Sequence, residues 1–148
     1  MLQIIRPDEP GSEIPWTSVE QLVDFLTELG FSIVLITMDS PQGRFLCQRF
    51  NDRGYFAEIL SVDKSIEPYV TMRTCFNEGR VSLYSYEPFE QELFRLEFNR
   101  ARKKIDHPRN GSKDVADAVC GAIFNCVTRF AEFDTGGSMS CTVLGSDD

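Results

Sequence analysis

Two aspartates three residues apart, Asp114 and Asp117, are the residues of this 148-residue chain whose type and spacing point most directly to chemistry. They follow a Pro-Arg-Asn-Gly-Ser loop. Beyond it Val115, Ala118, Val119, Ala122, Ile123, Cys126 and Val127 recur at intervals of three and four, which predicts a helix with one apolar face. On that helix the two carboxylates stand about 60° apart around the axis and within one turn. Ser112 is placed as the N-cap, its hydroxyl accepting from backbone N–H groups of the first turn. Asp114 falls one turn before Ala118, on the edge of the stripe expected to be buried, where a carboxylate costs free energy unless a positive or hydrogen-bonding group meets it. Such a pair is a candidate for metal ligation. Acids are equally at home in the first turn of any helix, facing the positive end of its dipole, so spacing alone leaves both readings open.

A third acid, Asp39, follows the near-continuous apolar run Phe31–Thr37. That run predicts a central strand buried on both faces, as in a sheet covered by helices. Asp39 then lies at the carboxyl end of the strand, where open α/β sheets place their ligands. Ser40 and Pro41 look like the N-cap and first residue of the next helix, which makes a helix-start acid the bland reading of Asp39.

The elements that must position these acids read as an α/β order. Leu2–Arg6 is a short apolar run cut off by Pro7, and a polar loop runs to Pro15. Thr17 with Glu20 forms a capping box, a helix carries Val19, Leu22, Val23, Leu26 and Leu29, and Gly30 closes it. After the Phe31–Thr37 strand, a helix with Phe45, Leu46 and Phe50 stops at Gly54, and Tyr55–Leu60 is a second strand. Glu67-Pro68 opens a third helix ending at Gly79, with Asp63 and Glu67 as its caps. Arg80–Tyr84 is a short extended piece. Pro88 opens a helix bearing Phe89, Leu93, Leu96 and Glu97. Lys104–Asp106 is a short apolar-centred run that breaks at His107-Pro108. From Asp134 onward the chain is rich in Gly, Ser and Asp and reads as a flexible tail, 134–148, after a domain over 1–133.

Composition narrows the class. With 42% hydrophobic residues and 12 Phe, the chain has ample material for a core. No apolar run is long enough to span a bilayer, and the first residues lack a signal peptide's basic region and cleavage site. Five scattered cysteines and one histidine make a zinc site a poor fit; they read as reduced thiols of a cytosolic protein, and Cys120 and Cys126 are not placed to pair. A net charge of −8 argues against a surface broadly attracted to nucleic acid or membrane. It is compatible with a metal-dependent nuclease, in which clustered acids hold the metals and basic residues are placed locally. Lys103, Lys104, Arg109 and Lys113 flank the acids and suit DNA phosphates, or simply a solvated loop. Glu92 and Glu97 suit structural hydrogen bonds, and His107 suits a loop residue before proline.

Taken in order, Leu35-Ile36-Thr37-Met38-Asp39-Ser40, Leu60-Ser61-Val62-Asp63, Tyr69 with Glu78-Gly79-Arg80-Val81, Glu92-Leu93 with Leu96-Glu97, Asp106-His107-Pro108 and Gly111-Ser112-Lys113-Asp114-Val115-Ala116-Asp117-Ala118 resemble a family. It is the C-terminal nuclease domain of the large terminase subunit of tailed bacteriophages, the motor protein that cuts and packages viral DNA. The last motif is the most specific. The resemblance, over about Leu2–Cys126, implies an RNase H-like α/β fold with a mixed sheet flanked by helices. It implies a two-metal endonuclease using Mg2+ or Mn2+, with Asp39 as the fourth-strand acid, Asp114 as the late-helix acid and Asp117 as a neighbouring acid. Two cations flanking a phosphate generate the attacking hydroxide and steady the leaving oxygen, and hard cations prefer carboxylate oxygens. The implied partners are double-stranded DNA, the terminase ATPase domain, the small terminase subunit and the portal, in the cytoplasm of a bacterial host.

The chain departs from the family at its start, which matches the third strand. The fold is expected to be incomplete, with the first two strands and their essential aspartate missing; Asp8 and Glu9 fall in the wrong place to substitute. The expectation is weak or no activity alone, with an exposed sheet edge that invites self-association or needs a partner fragment. A catalytically inactive remnant serving as an interaction module is the competing class, and another RNase H-like nuclease such as a resolvase is a third.

Overall fold

The computed structural model describes residues 1–7, 9, 12–39 and 43–129. The expected cap at Ser40 and Pro41, the tail from Asp134 and Cys141 lie outside them. The described chain is mixed α/β, with five helices and two separate two-stranded sheets, neither closed. It divides into two compact units, Gln3–Leu60 and a second made of Met1–Leu2 with Ser61–Asp148.

The first unit is a helix followed by a β-α-β crossover: α1 (Trp16–Glu28), β1 (Ile36–Met38), α2 (Arg44–Asp52) and β2 (Ala57–Ile59). β1 and β2 run parallel, with Ile36 opposite Ala57 and Met38 opposite Ile59. Val23, Leu46, Cys47, Phe50 and Ala57 form its buried core. Asn51, in the last turn of α2, ties that helix to β2: its amide donates to the Ala57 carbonyl and its carbonyl accepts from the Ala57 N–H, both at 2.9 Å. The strand expected over Phe31–Thr37 is shorter and shifted, because its first residues are not in the ladder and Phe31 is exposed. β1 is half-buried throughout, so the doubly covered central strand is not what forms.

Glycines end three helices. At the end of α1, Gly30 adopts φ +88° and its N–H reaches the Thr27 carbonyl, while the Phe31 N–H reaches Leu26. This paired closure needs a left-handed residue that glycine takes without steric cost. Gly54 after α2 and Gly79 after the next helix repeat it with their neighbours Tyr55 and Arg80.

The second unit contains α3 (Glu67–Asn77), α4 (Glu87–Arg95), the antiparallel hairpin β3 (Glu97–Asn99) and β4 (Lys104–Asp106), and α5 (Asp114–Thr128). Pro68 and Pro88 stand in the first turns of α3 and α4, where their missing N–H is no loss. Val62, Tyr69, Met72, Phe89, Ala116, Val119 and Cys120 form the core, chiefly where α3 packs on α5. Leu2–Arg6 and Arg80–Tyr84 are not strands, and Glu97 belongs to β3 rather than to the preceding helix. The buried face of α5 is rotated from the expected one. Ala116, Val119, Cys120 and Gly121 are buried, whereas Ala118, Ala122, Cys126 and Val127 are exposed. The small residues Ala116 and Cys120 let α3 approach closely on that side, where they pack with Tyr69 and Met72. Among the described residues no helix is long and apolar enough to cross a membrane.

Candidate functional site

The head of α5 separates the two aspartates. Asp114 is exposed, and Asp117 is the one turned inward, the reverse of the expectation from the apolar pattern. The rotation of the helix causes this, since position 117 borders Ala116 and Cys120 on the face that meets α3.

Asp117 is held on both oxygens. The Tyr69 hydroxyl, from α3, donates to Oδ1, and the Lys113 ammonium lies 2.6 Å from Oδ2. Lys113 is itself buried, with 7% of its side chain exposed. Its ammonium also reaches Asp63 Oδ1 at 2.7 Å and sits over the Tyr69 ring, 5.9 Å from the centroid. Asp63 Oδ2 accepts from the Lys104 ammonium at 3.0 Å, and Lys104 lies 3.9 Å from Asp106. Asp63 is thus not a cap of α3 but the middle carboxylate of a chain of charges running from α5 to β4. Lys104 and Lys113 are committed to carboxylates and do not offer their charge to a phosphate, a correction to the expectation for both.

These contacts set the ionisation of the group. Burial pushes the Asp117 carboxyl upward, and the hydrogen bonds from Lys113 and Tyr69 only partly oppose it. For Lys113 burial works against the charged form, but hydrogen bonds and charge from Asp117 and Asp63 outweigh it and raise the ammonium above its ordinary value. Burial also opposes ionisation of Asp63, yet Lys113 and Lys104 together hold its carboxyl below the usual range. Burial, then the bond to Asp117, raises the Tyr69 phenol well above its usual value. Burial, reinforced by Asp117, pushes the Cys120 thiol up to about 12, so it is no nucleophile near neutrality.

Asp114 is differently placed. The Ser112 hydroxyl donates to its Oδ2 at 3.0 Å and accepts from its backbone N–H at 3.3 Å. Ser112 is not the N-cap; that position belongs to Lys113, whose side chain does not cap. Glu92 of α4 takes over the work: its Oε2 accepts from the Ala116 N–H at 2.8 Å, and its Oε1 lies 3.0 Å from the Ser112 hydroxyl, whose single proton it shares with Asp114. It is a cap supplied from another helix, set against the positive end of the α5 dipole. His107 is a loop residue, with Nδ1 2.8 Å from the Pro108 carbonyl oxygen.

In the first unit Asp39 is exposed and directly follows β1. The expected capping box of α1 does not form. Glu20 instead turns inward and takes a two-pronged bond from Arg49, at 2.7 and 3.0 Å.

Asp114 and Asp39 are exposed carboxylates of the kind hard cations accept. Asp117 does not fit a metal ligand while Lys113 occupies it, because the ammonium already supplies the positive charge. Among the described residues no group of three or more His, Cys, Asp or Glu side chains is arranged to hold a metal. Of the residues that build this region, Lys113 was legible as an i, i+4 partner of Asp117. Tyr69, Asp63 and Glu92 reach α5 only through the fold, and nothing local in the sequence announces their partners.

Comparison of the chain with protein-family models, with curated proteins and with solved structures finds no match.

Proposed function

We propose that this chain carries part of a metal-dependent DNA endonuclease domain of the RNase H-like, phage-terminase type, with Asp114 as the metal-binding acid of the second unit, Asp39 as the acid that the resemblance assigns in the first, and Asp117 as a strut. The observation that supports this most is the division of labour at the head of α5. Asp117 is neutralised and fixed by Lys113 and Tyr69, which anchors the first turn and leaves Asp114 exposed with a single hydroxyl partner. When bound, Mg2+ or Mn2+ would supply the activated hydroxide and the charge that steadies the leaving oxygen. The chain's own part is to hold Asp114 at the helix start, through the Ser112 hydroxyl and the Glu92 cap.

Weak nicking of supercoiled plasmid DNA by the chain, in Mn2+ held above about 1 mM (the weak end of carboxylate-site affinities), is the expected signal that tests the reading. Asp114→Asn and Asp39→Asn are each expected to remove nicking, while Asp117→Asn lowers stability before it lowers cleavage. Nicking that survives Asp114→Asn contradicts the assignment.

A second reading is favoured by one observation. The Lys113 ammonium already bridges Asp63 and Asp117, as a structural cation would. In that reading the domain keeps the α/β body as a non-catalytic interaction module, and Mn2+ has no saturable effect on its melting temperature.

A further inference from the structure

The β3–β4 hairpin and the residues just before it hold the densest run of basic residues in the sequence. Five of the chain's fifteen Lys and Arg residues fall between Arg95 and Lys104, in a protein of net charge −8. Lys104 is spent on Asp63, but Arg100, Arg102 and Lys103 are exposed at the turn joining β3 to β4. Arg102 keeps 70% of its side chain exposed, with Asp106 no nearer than 3.9 Å.

The turn is a built one. The Asn99 side-chain carbonyl accepts from the Arg102 N–H at 3.0 Å, and Lys103 closes the loop in the left-handed region at φ +51°. The Ile105 side chain packs against the core, and its cross-strand partner Phe98 is half exposed. Phe94, at the end of α4, is 88% exposed. The tip therefore presents three exposed cations on a hydrogen-bonded turn.

We propose that the β3–β4 hairpin is a double-stranded DNA grip, with Arg100, Arg102 and Lys103 on backbone phosphates. A two-stranded ribbon fits the major groove, and guanidinium forks match phosphate oxygens in pairs. Confinement of the charge to a narrow tip on an acidic protein favours a ligand that enters between charges over a flat anionic surface such as a bilayer. The choice of DNA rests on the nuclease reading above; the placement of the contact does not.

The test is fluorescence anisotropy of a labelled 20-base-pair duplex (about two helical turns) with the full chain, in EDTA so that cleavage is not read. Three phosphate contacts give a log–log salt slope of about −2.7. The triple variant Arg100→Gln/Arg102→Gln/Lys103→Gln is expected to flatten the slope by that amount and to lose of order a hundredfold in affinity at 0.1 M salt. Lys103→Gly, which also relieves the left-handed backbone, should flatten it by about 1. Melting temperatures no lower than that of the wild type show that both variants are folded. Hairpin-dependent binding without metal-dependent nicking would leave this grip standing and remove the nuclease reading. Wild-type affinity in the triple variant, no duplex binding by the wild type, or preference for phosphatidylserine vesicles over the duplex would overturn the proposal.

Discussion

Two ion pairs, one in each unit, use the same raw material in different ways. In the first unit Glu20 leaves its expected place as a capping residue and meets Arg49, whose guanidinium is nearly half exposed. In the second, Lys113 is almost wholly buried and shared between Asp63 and Asp117, with the Tyr69 hydroxyl on the free oxygen of Asp117. An exposed arginine gains little from its partner, because water serves it nearly as well. A buried ammonium has no such alternative, so its partners must all be present. The first contact is an attachment, whereas the second is a condition for α3, α5 and β4 to pack as they do.

The sharpest way to break this contrast is Lys113→Met. It strands Asp117 among apolar neighbours and should cost about 3 kcal/mol by urea unfolding, the lower end for a broken buried pair. Adding Asp117→Leu should recover much of that loss, because a hydrophobic replacement for the whole pair is often neutral. Additive losses would mean that the two residues are not coupled.

Tyr69→Phe comes next, at about 1.5 kcal/mol for a buried acceptor left short of a donor. The same cluster predicts an alkaline limit. Cys120, Tyr69 and Lys113 all hold their protons more tightly when folded. Their contribution is whole below the unfolded values of about 8.5, 10 and 10.4 and is lost as pH rises through and beyond that range. The melting temperature should therefore fall steeply above about pH 9, and less steeply in Tyr69→Phe. At the acid end Asp63 has the opposite sign. Its lowered value gives stability above about pH 4 that is lost as pH falls through the folded value.

Glu92→Ala removes the cap that α4 lends to α5 and should cost about 1 kcal/mol, with hydrogen exchange faster at Ala116 than at Cys120. Arg49→Ala should cost less than Lys113→Met, because water can reach the pair through the half-exposed arginine, even though the inward Glu20 loses its two-pronged donor. A larger loss there would erase the distinction between the two ion pairs.

The same contrast explains how much was legible in the sequence. Helix ends were, because Gly30, Gly54 and Gly79 act through their own backbone and Pro68 and Pro88 through their missing N–H. Those signals are local. The hairpin was not, since its strands are three residues each and too short to show alternation. The long apolar run Phe31–Thr37 overstated its strand, because an apolar stretch registers hydrophobicity and not ladder length. The face of α5 was misjudged for a related reason. Val115, Val119 and Ile123 fit either rotation, and the choice was made by the small residues Ala116 and Cys120, which pack with Tyr69 and Met72 of α3. Thr17 with Glu20, Ser112 and Asp63 each had the right type for a cap, but Arg49, Glu92 and Lys113 supplied tertiary bonds instead.

Asp114 is exposed, while both oxygens of Asp117 are already held by Tyr69 and Lys113, so a cation should meet the first and not the second. Titration of the isotope-labelled chain with Mn2+, read as broadening of backbone amide signals, tests it most directly. Saturable broadening centred on Ser112–Val115, abolished by Asp114→Asn and retained in Tyr69→Phe, is the result predicted. Broadening that is absent, or that survives Asp114→Asn and disappears only when Asp117 is replaced, would contradict it.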